Sequence, residues 1–158
     1  MTVEKLINNF NSKDTFSDDE ISAIQSEKAL RLDLIEHFRT HRDRHFTLTL
    51  LNTFTELRKE PKNEISIDDL MLASFLVGMH KQVEDCLKIW EAKRVDFDAY
   101  AGVDIQLVPF AGIDNTIAYL ETQSGREVQE ALEYITACAN GGDFDNLDEY
   151  YNTIPWWV

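Results

Sequence analysis

Proline occurs three times in this 158-residue chain, glycine six times and cysteine twice. Two cysteines, Cys86 and Cys138, give no disulfide framework, so a small fold stapled by bridges is excluded and a reducing compartment is expected. No apolar run approaches the roughly 20 residues that a membrane-spanning helix needs. The opening MTVEKLINNFNSKD lacks the apolar centre and small-residue cleavage site of a signal peptide. A cytoplasmic protein is the expectation. No stretch sustains a valine/isoleucine alternation, which argues against a sheet. Glycine-rich phosphate loops and serine elbows are missing as well. Neither an enzyme nor a cofactor is expected.

Positive charge is the scarcest commodity. The net charge is -14, and it is unevenly placed. Residues 1–80 hold 14 acidic and 10 basic side chains, whereas residues 81–158 hold 15 and 5. From Val95 onward there are 12 acidic residues and a single basic one, Arg126. Such a field repels nucleic acid and anionic membrane, and it steers basic partners inward.

Packing material is plentiful by contrast. Apolar residues make up 44% of the chain, with nine Phe, five Tyr and three Trp, enough for one domain with a real core over 1–158. The pattern reads as helix after helix. Val3–Phe10 is a short amphipathic start, and SDDE at 17–20 is a capping box. Leu30, Leu34, Ile35 and Phe38 mark one helical face; Leu50, Phe54 and Leu57 mark another before KEPKN breaks the chain. SIDD at 66–69 opens the helix of Leu70, Phe75, Leu76 and Met79, and Val83, Leu87 and Trp90 give the next stripe. In residues 101–115, Ile105, Leu107 and Val108 allow a strand, but a short helix halted near Pro109 fits the surroundings better. Helix resumes at DNTIAYLE, SGRE at 124–127 is expected to cap the helix of Val128, Leu132 and Ile135, and Gly141-Gly142 stops it.

A short phrase recurs, RVDFDAY at 94–100 and GGDFDNL at 141–147. Laid over each other, residues 86–100 and 131–147 each read as a helix, a tight turn and Asp-Phe-Asp opening a second helix. Copies about 45–47 residues apart suit stacked helical hairpins of the HEAT or armadillo type. GGDFDNLDEYY also resembles the turn and second-helix start of tetratricopeptide repeats, although Pro155 cuts that second helix short. The expected fold is all-α, a short solenoid of hairpins or an irregular helical bundle.

As metal ligands the DFD pairs fail. After Asp143 the fifth, sixth and twelfth positions of a calcium loop are Leu147, Asp148 and Ile154; after Asp96 they are Tyr100, Ala101 and Leu107. Capping suits them better, with Asp96 and Asp143 at helix starts, Phe97 and Phe144 in the hairpin core, and Asp98 and Asp145 facing solvent. His37, His41 and His45 stand four apart, a zinc-compatible spacing, but Arg39, Arg42 and Arg44 crowd them and a turn at 42–45 would swing His45 away. Cys86 and Cys138 read as packing residues. Trp156 and Trp157 are expected to fold back as a lid on the last hairpin, the alternative being an exposed aromatic anchor.

With its acidic second half, its near-absence of positive charge after Arg94 and its DFD hairpins, the chain resembles the acidic immunity proteins that bacteria make against cationic toxin domains, often nucleases. The resemblance implies a stoichiometric inhibitor whose carboxylates occupy the toxin's basic groove. Asp98, Asp104, Asp114, Asp145, Asp148 and Glu149 would be its charged contacts, with Tyr150 and Tyr151 as anchors. A helical-repeat adaptor with a concave groove and an enzyme in a helical bundle are the alternatives.

Overall fold

A computed structural model describes residues 1–60 and 62–158. The chain folds as α1 (Val3–Lys13), α2 (Asp18–Ser26), α3 (Lys28–Thr40), α4 (Arg44–Arg58), α5 (Ile67–Gly78), α6 (Cys86–Lys93), α7 (Phe97–Gly102), α8 (Ile113–Thr122), α9 (Arg126–Gly141) and α10 (Leu147–Asn152). Short 3-10 turns at Val83–Asp85 and Ile105–Leu107 complete it. The fold is all-α, with no strand among the described residues. No helix among them is long and apolar enough to cross a membrane.

Local chemistry sets several of these boundaries. Ser17 and Glu20 close a capping box at α2, the Ser17 N–H donating to the Glu20 carboxylate at 2.8 Å. Ser66 and Asp69 do the same at α5. The break expected at KEPKN includes Pro61, which lies outside the described residues; α4 ends at Arg58 and α5 begins at Ile67. Residues 101–115 hold the end of α7, a 3-10 turn and the start of α8, so the helical reading of that stretch holds.

Beyond its first turn α5 is apolar on every face but for Ser74, and it is the central helix. Asp69 through Gly78 are buried without a gap, against α3, α4, α6 and α7. At its end the chain needs a glycine, because a Cβ on Gly78 would stand 2.0 Å from the Phe110 ring. An aromatic cluster of Phe10, Phe16, Phe38 and Phe46 ties α1, α3 and α4 together, with ring centroids 4.9–5.3 Å apart. Across the core, Arg31 on α3 reaches Asp69 at 2.7 Å, and both side chains are buried.

The two DFD phrases fold differently. Asp96 caps α7, accepting the Ala99 N–H at 2.7 Å, and also takes the Arg58 guanidinium at 2.6 Å. That ion pair, then its backbone bonds, hold its carboxyl below the usual range. Phe97, however, is 83% exposed rather than packed in the core. In the second copy Phe144 is buried as expected, but Asp143 caps nothing and α10 starts only at Leu147. The reason is backbone geometry. Gly142 ends α9 at φ 84°, and the Asp143 N–H turns back onto the Cys138 carbonyl at 3.1 Å while Gly142 bonds Ala139. Asp143 thus belongs to the closing motif of α9, not to the start of α10. The SGRE expectation fails similarly: the residue before α9 is Gly125, at φ 121°, and no side chain caps it.

Candidate functional site

The turn between α9 and α10 gathers carboxylates. Asp143, Asp145 and Glu149 line a cleft of about 320 Å3 with Gln106, Gly142, Asn146, Tyr150 and Thr153. On its other side Asp145, Asp148 and Glu149 line a second cleft of about 480 Å3 with Ile113 and Phe144. No residue lining either cleft is basic. The Schellman-type end of α9 creates this grouping, because it swings the chain round and presents four acidic residues within seven positions.

Of the contact residues expected from sequence, Asp145, Asp148 and Glu149 come together here and are exposed. Asp114, exposed in the first turn of α8, adjoins the second cleft through its neighbour Ile113. Asp104 is half-buried and accepts the Tyr150 hydroxyl hydrogen at 2.9 Å. Asp98 lines neither cleft; it lies exposed in the first turn of α7, beside the Arg58–Asp96 pair. Tyr150 and Tyr151 are half-buried, and their hydroxyls are engaged within the chain, Tyr151 with the Gln106 carbonyl. Burial, with Asp104 beside Tyr150 and Asp148 near Tyr151, raises both phenols above their ordinary range. Tyr151 also stacks on Phe110, centroids 4.0 Å apart. Sequence reasoning left out Asp143, Gln106 and Asn146, because it assigned the second DFD to a helix start.

The other candidates resolve individually. His37 and His41 stack at 4.1 Å between centroids, whereas His45 sits on α4 and meets the Asp14 carboxylate at 2.5 Å. Among the described residues no three His, Cys, Asp or Glu side chains gather as a metal requires. Arg39 donates to the Thr153 carbonyl, Arg42 to that of Met79, and Arg44 to Asp85 at 2.9 Å, so the basic cluster ties α3 and α4 to later elements. Cys86 is buried and its thiol is pushed up to about 12 by burial. Burial, then a bond to Asp143, also raises the Cys138 thiol. Neither is an activated nucleophile. Trp157 folds back as a lid, 5% exposed and edge-on to Phe75 at 6.0 Å, but its neighbour Trp156 is 81% exposed.

Lys93 had no signature in the sequence. Its ammonium is buried and donates to the Tyr100 and Val103 carbonyls at 2.7 and 2.6 Å. Burial lowers its pKa, and Asp104 opposes that shift.

Compared with family models, curated proteins and solved structures, the chain finds no match in any of the three.

Proposed function

We propose that this chain is a cytoplasmic, non-catalytic binding protein whose acidic end engages a basic protein, in the manner of an immunity protein that occludes the basic groove of a cationic toxin domain. The observation that carries the reading is the convergence of Asp143, Asp145, Asp148 and Glu149 on two adjoining clefts that no basic side chain lines. Nearly every cation elsewhere in the second half is already engaged: Arg94 and Arg126 with Glu130, Lys88 with Glu91, Lys93 with main-chain carbonyls. Asp148 also borders a third cleft with Arg39, Arg42 and Lys81, so the face left uncompensated is that of Asp143, Asp145 and Glu149, and a basic partner is drawn to it over distances near a Debye length, about 8–10 Å.

In this reading the carboxylates stand in for the phosphates of a nucleic acid, and the inhibition is stoichiometric. Exposed Trp156 and Ile154, 81% and 58% accessible, would supply apolar contact beside the charge. The test is co-expression with the product of the adjacent gene. Rescue of growth and an isolable one-to-one complex are expected; failure of both rejects the reading. Reversing Asp145 and Asp148 to lysine should then slow association by about tenfold or more at low salt, and the difference should shrink as salt is added.

A further inference from the structure

Three helices contribute one aromatic ring each to a separate cleft. Trp90 on α6, Tyr100 on α7 and Tyr134 on α9 have centroids 5.4 Å (Trp90–Tyr134), 5.6 Å (Tyr100–Tyr134) and 6.3 Å (Trp90–Tyr100) apart. With Glu130 and Glu133 they line about 360 Å3, room for one long side chain. The Trp90 side chain is almost wholly buried, yet its indole N–H has no acceptor among the described residues. Tyr100 is 41% exposed.

The place of this cleft relates it to the acidic end. Glu130, Tyr134 and Cys138 stand four apart on α9, hence on one face, and the Asp143 N–H bonds the Cys138 carbonyl at 3.1 Å. From Tyr134 to Gly141 the helix rises about 10 Å. The aromatic cleft and the acidic turn are thus about 10 Å apart along α9.

We propose that the Trp90–Tyr100–Tyr134 cleft is the anchor site for an arginine or lysine side chain of the basic partner; this rests on the function proposed above. Aromatic faces carry negative quadrupole and attract cations, most strongly where water is excluded. These rings already do so once: the Lys93 ammonium lies 5.5 Å from the Tyr100 centroid and 5.8 Å from that of Tyr134. Glu133 is exposed and, among the described residues, takes a hydrogen bond only from Gln129, at 2.8 Å, so its carboxylate has capacity for a guanidinium. Glu130 is held by Arg94 at 2.8 Å and by Arg126 at 2.9 Å.

Arg126 is the key to the electrostatics. Its side chain is 91% exposed, so the bond to Glu130 costs little to break. An incoming guanidinium meets Lys93 and Arg94 as like charges. By displacing Arg126 from Glu130 it gains that carboxylate, while the Arg126 side chain turns into solvent, where its charge is screened.

The probe is acetyl-arginine amide, titrated into the full chain while the Trp90 indole N–H resonance is followed, with neutral acetyl-citrulline amide as control. A saturable shift is expected with arginine, about tenfold weaker with citrulline. Arg126→Ala should tighten arginine binding several-fold, and Glu133→Gln, on the exposed rim, should weaken it similarly. Tyr134→Phe should retain binding because the ring is kept. No arginine response, an equal citrulline response, or indifference to both rim substitutions overturns the proposal. The two readings fail separately. A basic partner that binds and leaves Trp90 unmoved rejects the anchor alone; arginine that binds where no basic partner does rejects the inhibitor reading.

Discussion

Tyr150 donates its hydroxyl hydrogen to Asp104 at 2.9 Å, bridging 46 residues of sequence. The bond pins α10 to the segment after α7, and with it the acidic turn. Removing it in Tyr150→Phe should cost about 1–2 kcal/mol, since the acceptor is charged but partly open to water. The same pair makes the fold alkali-sensitive. In the unfolded chain a phenol ionises near its ordinary value of about 10, while in the folded chain Tyr150 and Tyr151 keep their protons. Above about pH 10 the unfolded state binds fewer protons, so stability falls as pH rises. Urea titrations across that range, with phenolate absorbance read alongside, should show it, and Tyr150→Phe should flatten the slope.

The Arg31–Asp69 pair is buried on both sides, so its members are worth most together. Arg31→Met strands the Asp69 charge and should cost about 3–5 kcal/mol. Asp69→Asn should cost less in the Arg31→Met background than in the wild type, because no buried guanidinium is then left without its counter-charge, while asparagine still accepts the Ser66 N–H in both. A double-mutant cycle by denaturant unfolding measures the coupling, and strictly additive costs would refute it.

Trp157 and Trp156 are adjacent but opposite in kind. Trp157→Ala should cost about 3–5 kcal/mol through the cavity left beside Phe75. Trp156→Ala should change stability by no more than about 0.5 kcal/mol. Equal thermal shifts for the two would contradict the geometry.

Gly78→Ala places a methyl group where the Phe110 ring lies and should cost about 1–3 kcal/mol. Phe110→Leu in the same chain should recover part of it. Thermal melts of the single and double variants decide the point.

Much of the fold was legible because its causes are local. Ser17–Glu20 and Ser66–Asp69 are contacts three residues apart, and the helical spacing of Leu70, Phe75, Leu76 and Met79 marks α5. What could not be read depends on distant partners. One three-residue phrase turned Phe97 outward and Phe144 inward, because Arg58 seizes the first Asp-Phe-Asp and the end of α9 seizes the second. Lys93 looked like an ordinary lysine in the last turn of a helix, since backbone carbonyls ten residues away leave no mark in the sequence. The acidic site was half legible. Composition located it in the second half of the chain, but only the turn after Gly142 separates Asp145, Asp148 and Glu149 from Asp98.

Helix α7 has six residues, too few to persist alone. Its first turn is gripped through Asp96 by Arg58 of α4, and its last carbonyls are gripped by Lys93 of α6. A helix clamped by a cation at either end has no independent way to fray. Its amide hydrogens should therefore exchange with solvent at the pace of α4 and α6 opening, as one cooperative unit, and slow exchange would mark the shortest helix here as among the best protected.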